Sequence, residues 1–279
     1  MGTLFFGVLV SAFVLILLWR LWYGRRRPGY LAIIEYWIYS DVQRLPPTAA
    51  LMDAVVSKNP HNRPGKPSIT GREGILFSDL RLHLGVARRE KNPHAFRPDL
   101  FDEHAVPNAE ALQRLSESRT LTKIQYASDV PLKDGRHLQF VTHLTDTMVR
   151  LTRGRLVFDT VTETFWLPDE LYSVLQHNND AEHPDLHVRI VWTKTIEGCR
   201  AVTLGLRKVG RPELQTALQE SDEEVIVSTI VEKVARRLFT DPELQLPLEV
   251  RQHGGTFVVS DAGLQDGRTE LKIVRKTPV

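Results

Sequence analysis

Residues 120–158 read TLTKIQYASDVPLKDGRHLQFVTHLTDTMVRLTRGRLVF and decide the class of fold. The first part, Thr120–Tyr126, is rich in β-branched and aromatic residues, which predicts a strand. Across His137–Leu151 the apolar residues recur at intervals of three and four, which is the spacing of an amphipathic helix. Gly154 ends this helix, and Arg155–Phe158 predicts a second strand. The stretch therefore predicts a β-α-β unit.

The elements on both sides of this unit mix helices with antiparallel hairpins. Strands are predicted at Tyr30–Tyr39, Leu80–Val86, His187–Lys194, Ala201–Leu206, Leu248–Gln252, Thr256–Val259 and Leu271–Val274, and helices at Ala49–Ser57, Asn108–Ser118, Ser221–Phe239 and from Pro168 onward. Turns with glycine, such as Glu197-Gly198, join neighbouring strands. An interfacial helix is the alternative for Tyr30–Tyr39, since this segment follows a predicted membrane anchor. The predicted fold class is α+β.

The N-terminal segment predicts a transmembrane helix. No charged side chain occurs from Met1 to Trp19. Extended to Tyr23, this run is long enough to cross a bilayer core of about 30 Å at about 1.5 Å per residue, because the Arg20 side chain can reach back to the headgroups. Aromatic and arginine side chains then mark the membrane interface. These predicted interface anchors are Trp19, Arg20, Trp22, Tyr23, Arg25, Arg26 and Arg27.

The charge distribution sets the predicted orientation. Positive side chains lie only after the apolar run, so the positive-inside rule places the N-terminus outside and the rest of the chain in the cytoplasm. The arginine cluster also favours anionic lipid headgroups. A cleaved signal peptide has the opposite order of charge and apolar residues, and Phe6 excludes an N-myristoylation motif.

Prolines and charge divide the chain into five predicted parts. They are a transmembrane anchor (1–24), a basic juxtamembrane linker (25–29), a membrane-proximal α+β segment (30–91), a second linker (92–107) and a main α+β domain (108–279). The second linker is placed where three prolines accompany many charged residues.

Composition excludes several classes of protein. The 279 residues are 42% hydrophobic and 25% charged, which is ordinary for a globular chain and argues against disorder as a whole. The single cysteine, Cys199, excludes an internal disulfide and is interpreted as unreactive. A net charge of +2 gives no general attraction to nucleic acid, so no nucleic-acid partner is predicted. The segments Lys58–Lys66 and Arg81–Lys91 are basic, and lipid or a solvated strand edge is the preferred interpretation for them.

The histidines and carboxylates give only weak catalytic candidates. His143 and Asp146 are three residues apart on the predicted helix, so the carboxylate is in position to orient an imidazole base. His183 and His187 are interpreted as exposed loop residues, since a strand is predicted to begin at Asp185. Three acidic residues follow a strand, where carboxylates bind Mg²⁺ in many phosphoryl-transfer sites. These are Asp159, Glu163 and Glu170, but no glycine-rich phosphate loop accompanies them. The sequence predicts no cofactor and no metal site.

The predicted function follows from a clear anchor and weak catalytic signals. We expect a single-pass membrane protein whose cytoplasmic α+β domain acts by interaction, as a scaffold, an adaptor or an accessory subunit. Its expected partners are the bilayer, anionic lipid and a protein partner or a second copy. The alternative is a membrane-tethered hydrolase, metal-dependent in one version, that uses His143 and Asp146.

Overall fold

The computed structural model describes most of the chain from residue 32 onward. The described residues are 32–54, 81–101, 105–128, 132–178, 182–195, 198–217, 224–241, 243–252, 255–265 and 268–276, except positions 43, 48, 52 and 133. All of them belong to the unit Leu31–Val279. The predicted transmembrane anchor and all its interface residues lie outside the described residues. Among the helices that are described, none is long and apolar enough to span a membrane.

The first sheet has five strands in the order β2-β3-β1-β4-β5. These strands are β1 (Ala32–Ser40), β2 (Arg81–Arg88), β3 (Thr120–Ser128), β4 (Leu156–Asp159) and β5 (Thr164–Trp166), and every neighbouring pair is antiparallel. Because β1 is antiparallel to both β3 and β4, those two strands are parallel to each other. The predicted β-α-β unit is confirmed, with β1 inserted between its two strands.

Two helices cover opposite faces of this sheet. Helix α1 (Ala109–Glu117) begins where the Asn108 side chain accepts a hydrogen bond of 2.8 Å from Ala111 N. Its buried residues pack with Phe96 and with Tyr39, Leu121, Leu156 and Phe158 on one face. Helix α2 (Arg136–Thr152) is the predicted amphipathic helix and packs on the other face.

The alternation of β1 explains this arrangement. Ala32, Ile34, Tyr36 and Ile38 are at most 2% exposed and join Leu138, Val141, Leu144 and Met148 of α2 in the main hydrophobic core. Successive side chains of a strand point to opposite faces, so the intervening residues of β1 lie on the α1 side. The residues that alternate along β1 and those spaced by three and four along α2 therefore share one hydrophobic core.

The remaining elements form a second, six-stranded sheet and three more helices. They are α3 (Pro168–Asn178), α4 (Pro184–His187), β6 (Arg189–Thr195), β7 (Gly198–Leu204), β8 (Leu214–Thr216), α5 (Glu224–Thr240), β9 (Leu248–Gln252), β10 (Gly255–Gln265) and β11 (Arg268–Arg275). The strand order is β6-β7-β8-β11-β10-β9, with a parallel pair only at β8 and β11. Apolar residues of α5 and of this sheet join the same core as β1 and α2. The α+β class is confirmed.

The structure gives the local detail of three further predictions. Residues 49–51 and 53–54 are helical, as expected, while 55–57 lie outside the described residues. The predicted linker at 92–107 contains two short 3-10 helices, Pro93–Phe96 and Pro98–Leu100. Strands from both sides of this segment pair within the first sheet. The expected strand start at Asp185 is wrong, because Pro184–His187 forms one helical turn and β6 begins at Arg189.

Candidate functional site: a buried ionisable cluster

The most unusual feature of the core is a buried ion pair. Lys208 Nζ contacts a carboxylate oxygen of Asp159, and both side chains have 0% exposure. The same ammonium group lies 3.3 Å from His187 Nδ1, and His187 is also fully buried. The expectation that His187 is an exposed loop residue is therefore wrong. Charged groups are rarely buried this completely unless they are paired.

Three short elements carry these groups, and β1 and α5 pack against them. Asp159 ends β4 and lies opposite Tyr36 of β1 on the core side of the first sheet. Lys208 is carried by the 3-10 turn Leu206–Val209, and His187 ends the short helix α4. The imidazole of His187 stacks on the ring of Phe239 in α5, at 5.8 Å between centroids and 15° between planes. The cluster therefore connects the first sheet to the layer built around the second.

Asp159 is held by more than its cation. Its Oδ1 accepts hydrogen bonds from Val161 N at 3.1 Å and Thr162 N at 3.2 Å. The Tyr36 hydroxyl also hydrogen bonds with Asp159. Because the carboxylate is bound at both oxygens, the start of the turn after β4 is fixed against the sheet.

A second buried carboxylate positions the turn that carries Lys208. Glu213 accepts hydrogen bonds from three backbone N–H groups, those of Gly205 at 2.8 Å and of Leu206 and Arg207 at 3.2 Å. It also accepts one from Thr203 Oγ1 at 2.9 Å. These N–H groups are the ones left without a main-chain acceptor at the start of a helical turn, so the Glu213 carboxylate caps the start of this turn.

Gly205 is required for this close packing. Its φ is +123°, and a Cβ at this position would lie 1.7 Å from the carbonyl oxygen of His187. No other residue fits both conditions. The backbones that carry Lys208 and His187 therefore touch directly at Gly205.

Burial shifts the ionisation of the cluster. Burial lowers the pKa of Lys208, and the nearby Asp159 carboxylate partly offsets that effect. Burial raises the pKa of Glu213 despite its hydrogen bonds. The pKa of Tyr36 is raised well above its usual value by burial and by the negative charge of Asp159. Each shift favours the neutral form of the group, as expected where water is excluded.

His137 connects helix α2 to the same turn. Its Nε2 lies 2.9 Å from the carbonyl oxygen of Lys208, and its Nδ1 lies 3.2 Å from that of Asp134. Burial lowers the pKa of His137, while the two carbonyl groups act in the opposite direction. Only the protonated ring can donate to both oxygens, so the neutral ring that burial favours donates to one of them.

The chemical capacity of this cluster is limited by its burial. Asp159, His187 and Lys208 have no exposed surface and Tyr36 has 2%. A substrate therefore has no contact with these groups unless the two layers separate. The arrangement stabilises and aligns the two layers.

The two weak catalytic candidates both lie on α2. Asp146 is 4% exposed, and its carboxylate pairs with Arg150 one turn later. The guanidinium of Arg150 also lies 5.1 Å from the centre of the Tyr172 ring. Half-buried His143 lies one turn before Asp146. Their predicted catalytic role stays a prediction.

The three acidic residues that are candidate magnesium ligands lie in separate settings. Asp159 belongs to the buried ion pair, and Glu170 Oε2 accepts a hydrogen bond of 2.9 Å from Leu167 N at the start of α3. Glu163 occupies a left-handed turn position with φ of 54°. Within the described ranges, no three His, Cys, Asp or Glu side chains converge as a metal-binding group.

The structure also gives the surroundings of Cys199 and of Arg89. Cys199 is buried in β7, at 4% exposure. Arg89 donates a hydrogen bond of 2.7 Å to Ser118 O, and its guanidinium lies 4.7 Å from the centre of the Phe96 ring. The interface arginines and the segment Lys58–Lys66 lie outside the described residues.

Two of the edge strands, β9 and β2, differ in how their outer edge is protected. On β9, the carbonyl oxygens of Glu249 and Arg251 accept hydrogen bonds from the Arg237 and Lys233 side chains of α5, at 3.4 and 2.9 Å. Positive side chains of this kind block the addition of another strand. Strand β2 has one strand neighbour among the described residues, β3, and its Leu84 and Val86 are 37% and 38% exposed.

Comparison of the chain with protein-family models, with curated proteins and with solved structures found no match in any of the three.

Proposed function

We propose that this chain is a single-pass membrane protein whose α+β domain acts by protein association at the cytoplasmic face of the bilayer. The observation that carries the proposal is the uncharged run from Met1 to Trp19, followed at once by the cluster of four arginines. In this role it would serve as a scaffold, an adaptor or an accessory subunit. The bilayer, anionic headgroups and a protein partner are its proposed contacts.

The energetics of transfer support the anchor. Leucine, isoleucine, phenylalanine and valine at the centre of a membrane helix each favour insertion by about 0.3–0.6 kcal/mol, whereas an arginine there costs about 2.5–3.5 kcal/mol. The apolar side chains of the run thus favour the hydrocarbon. Arg25–Arg27 oppose transfer across it and attract anionic lipid by about 1 kcal/mol each.

The geometry of the described residues supports association over catalysis. The best-organised ionisable cluster, around Lys208 and Asp159, is sealed inside the domain, where it holds two layers together. The accessible edge of β2 presents apolar side chains and main-chain groups that suit another strand. We rank the membrane-tethered hydrolase second, because the Asp146 carboxylate that would orient His143 is already paired with Arg150.

Membrane association is tested by charge substitution in the apolar run. In the variant Val10→Asp with Phe13→Lys, insertion becomes less favourable by about 5–7 kcal/mol. We expect the unaltered protein to stay with membranes after high-salt and carbonate washes, and the variant to be released. The matched control places the same two charges at exposed positions of the domain, as Val274→Asp with Leu264→Lys, and should remain with membranes. Recovery of the unaltered protein in the soluble fraction would overturn the proposal.

A further inference from the structure

We propose that β2 docks against β2 of a second copy of this chain, in an antiparallel pair with Leu84 opposite its own counterpart. This inference rests on the proposed function and names its partner. The paired strands would join the two five-stranded sheets into one continuous sheet of ten strands. The argument uses the position of β2, the geometry of strand pairing and the order of its side chains.

The position of β2 makes it suited to strand addition. It is the last strand of its sheet, with β3 on one side, and eight residues is long for an edge strand. Four of its central residues, 83–86, are exposed. The edge of β9 shows the contrast, because Lys233 and Arg237 occupy its outward carbonyl groups. An edge strand of this length, beside which the described residues place no second strand, is a template for another strand.

Strand geometry restricts the registers that are allowed. Alternate residues of β2 direct their N–H and C=O groups toward β3, so the others direct them outward. In a symmetric dimer, two residues that face each other across the junction must direct their N–H and C=O groups in the same way, both toward the partner strand or both away from it. Odd-numbered residues therefore face odd-numbered residues, and even-numbered residues face even-numbered residues. The two-fold axis then passes midway between the two copies of one residue, so that this residue faces its own counterpart. The same face of the sheet lies on the same side of the joined sheet in both copies. The central registers place His83, Leu84 or Gly85 on that axis.

The side chains of β2 select the register centred on Leu84. The even-numbered residues Leu82, Leu84 and Val86 lie on the face of the sheet that also carries Tyr36 and the core. With Leu84 on the axis, Leu82 of one copy lies opposite Val86 of the other, so an apolar row crosses the junction. Cross-strand pairs of this kind are the unit of stability in sheets.

The opposite face of β2 fits the same register. His83 of one copy lies opposite Gly85 of the other, and a Cβ on Gly85 would meet no atom within 4 Å, so there is room for the imidazole. The register centred on His83 would place two imidazoles side by side. The one centred on Gly85 would place Leu82 opposite Arg88. The Leu84 register avoids both of these pairs.

The membrane setting favours this contact. Two chains anchored in one bilayer meet at a higher effective concentration than free chains, so a modest strand interface is sufficient. The surface of β2 is narrow, so we expect a reversible dimer and not an obligate one.

Cysteine cross-linking of the full-length protein in lipid nanodiscs or detergent tests the register. Paired residues of antiparallel strands have Cα atoms about 4.5–5.5 Å apart, which suits a disulfide. Leu84→Cys should form a disulfide-linked dimer on mild oxidation, at about ten times the yield of Val86→Cys, since Val86 does not face itself. A mixture of Leu82→Cys and Val86→Cys chains should cross-link between the two variants. The natural chain, whose only cysteine is buried, gives the background.

Each other outcome overturns the inference. Yields of Leu84→Cys no higher than background would show that another segment, or nothing, occupies this edge. Self-cross-linking of His83→Cys or Gly85→Cys instead would refute the register. The second test introduces a positive charge at position 84, where each copy would face the same charge of the other. Like charges directly opposite each other destabilise a strand pair. Leu84→Lys should halve the mass measured by light scattering, while the control Leu264→Lys, at a site 75% exposed, should leave it unchanged.

These results are separable from the test of the anchor. A protein that stays with membranes but remains monomeric would refute the β2 dimer and leave the proposed function standing. A protein that is soluble would refute the anchor, while the cross-linking pattern would still report on the strand pair.

Discussion

Replacing Asp159 by asparagine should destabilise the domain strongly, because the change removes the counter-charge that the buried Lys208 ammonium contacts directly and leaves the weaker influence of the Glu213 carboxylate. Both side chains have 0% exposure, and among the described residues the one hydrogen-bonding side chain left to Lys208 Nζ is His187, at 3.3 Å. Breaking a fully buried pair in this way costs about 3–5 kcal/mol. For a domain of this size, 1 kcal/mol corresponds to about 2–4 °C in Tm, so the expected decrease is about 6–20 °C.

The reverse change should be milder. Lys208→Met removes the cation, but Asp159 keeps the N–H groups of Val161 and Thr162 and the Tyr36 hydroxyl. We therefore expect a smaller loss for Lys208→Met than for Asp159→Asn. The double variant removes both charges and should recover most of the stability, since an uncharged pair of similar volume is often neutral or stabilising.

The assay is thermal and urea unfolding of the full-length protein followed by circular dichroism. Asp169→Asn is the matched control, because Asp169 is exposed at the start of α3, and it should change stability by less than about 0.5 kcal/mol. In Asp159→Asn, stability should also rise with pH toward 10.5, the ordinary pKa of lysine, since burial lowers the pKa of Lys208 in the folded state. A loss below about 1 kcal/mol, or a double variant no better than Asp159→Asn, would refute the reasoning about the pair.

Three further measurements follow from the structure. Gly205→Ala should cost at least about 2 kcal/mol in unfolding experiments, since it adds backbone strain and a clash with a carbonyl oxygen, whereas Gly263→Ala, at a similar φ of +122° in open space, should cost about 1 kcal/mol. His137 has a folded-state pKa below its ordinary value of 6.5, so its contribution to stability should be complete above pH 6.5 and should decrease as the pH falls below that value. When the free energy of unfolding is measured across this pH range, His137→Gln should remove that decrease. Lys233→Ala with Arg237→Ala uncovers the edge of β9, and light scattering should detect added self-association; no change would show that these side chains do not protect the edge.

The sequence was sufficient for the elements with a clear period. The β-branched and aromatic composition of β1 and the three-four spacing of apolar residues in α2 predicted these two elements. The N-cap of α1 was also predictable, because Asn108 precedes the first helical residue and caps it through its side chain. Each of these signals is local, so it can be detected within about ten residues of sequence.

The buried cluster was not predictable because its members are distant in the chain. Asp159, His187 and Lys208 lie on three short elements, and nothing local indicates that they meet. One weak signal was present for His187, which has apolar neighbours on both sides and proves to be buried. The strands β5 and β8 were missed for another reason, since three residues are too few to show a period.

The proposed membrane topology is tested most directly by labelling a single exposed cysteine in intact cells. Val274→Cys places a thiol at a position that is 47% exposed in the domain, while Cys199 is buried and gives little background. With the domain in the cytoplasm, a membrane-impermeant maleimide should label Val274→Cys only after the cells are permeabilised. Equal labelling of intact and permeabilised cells would place the domain outside and contradict the proposed orientation.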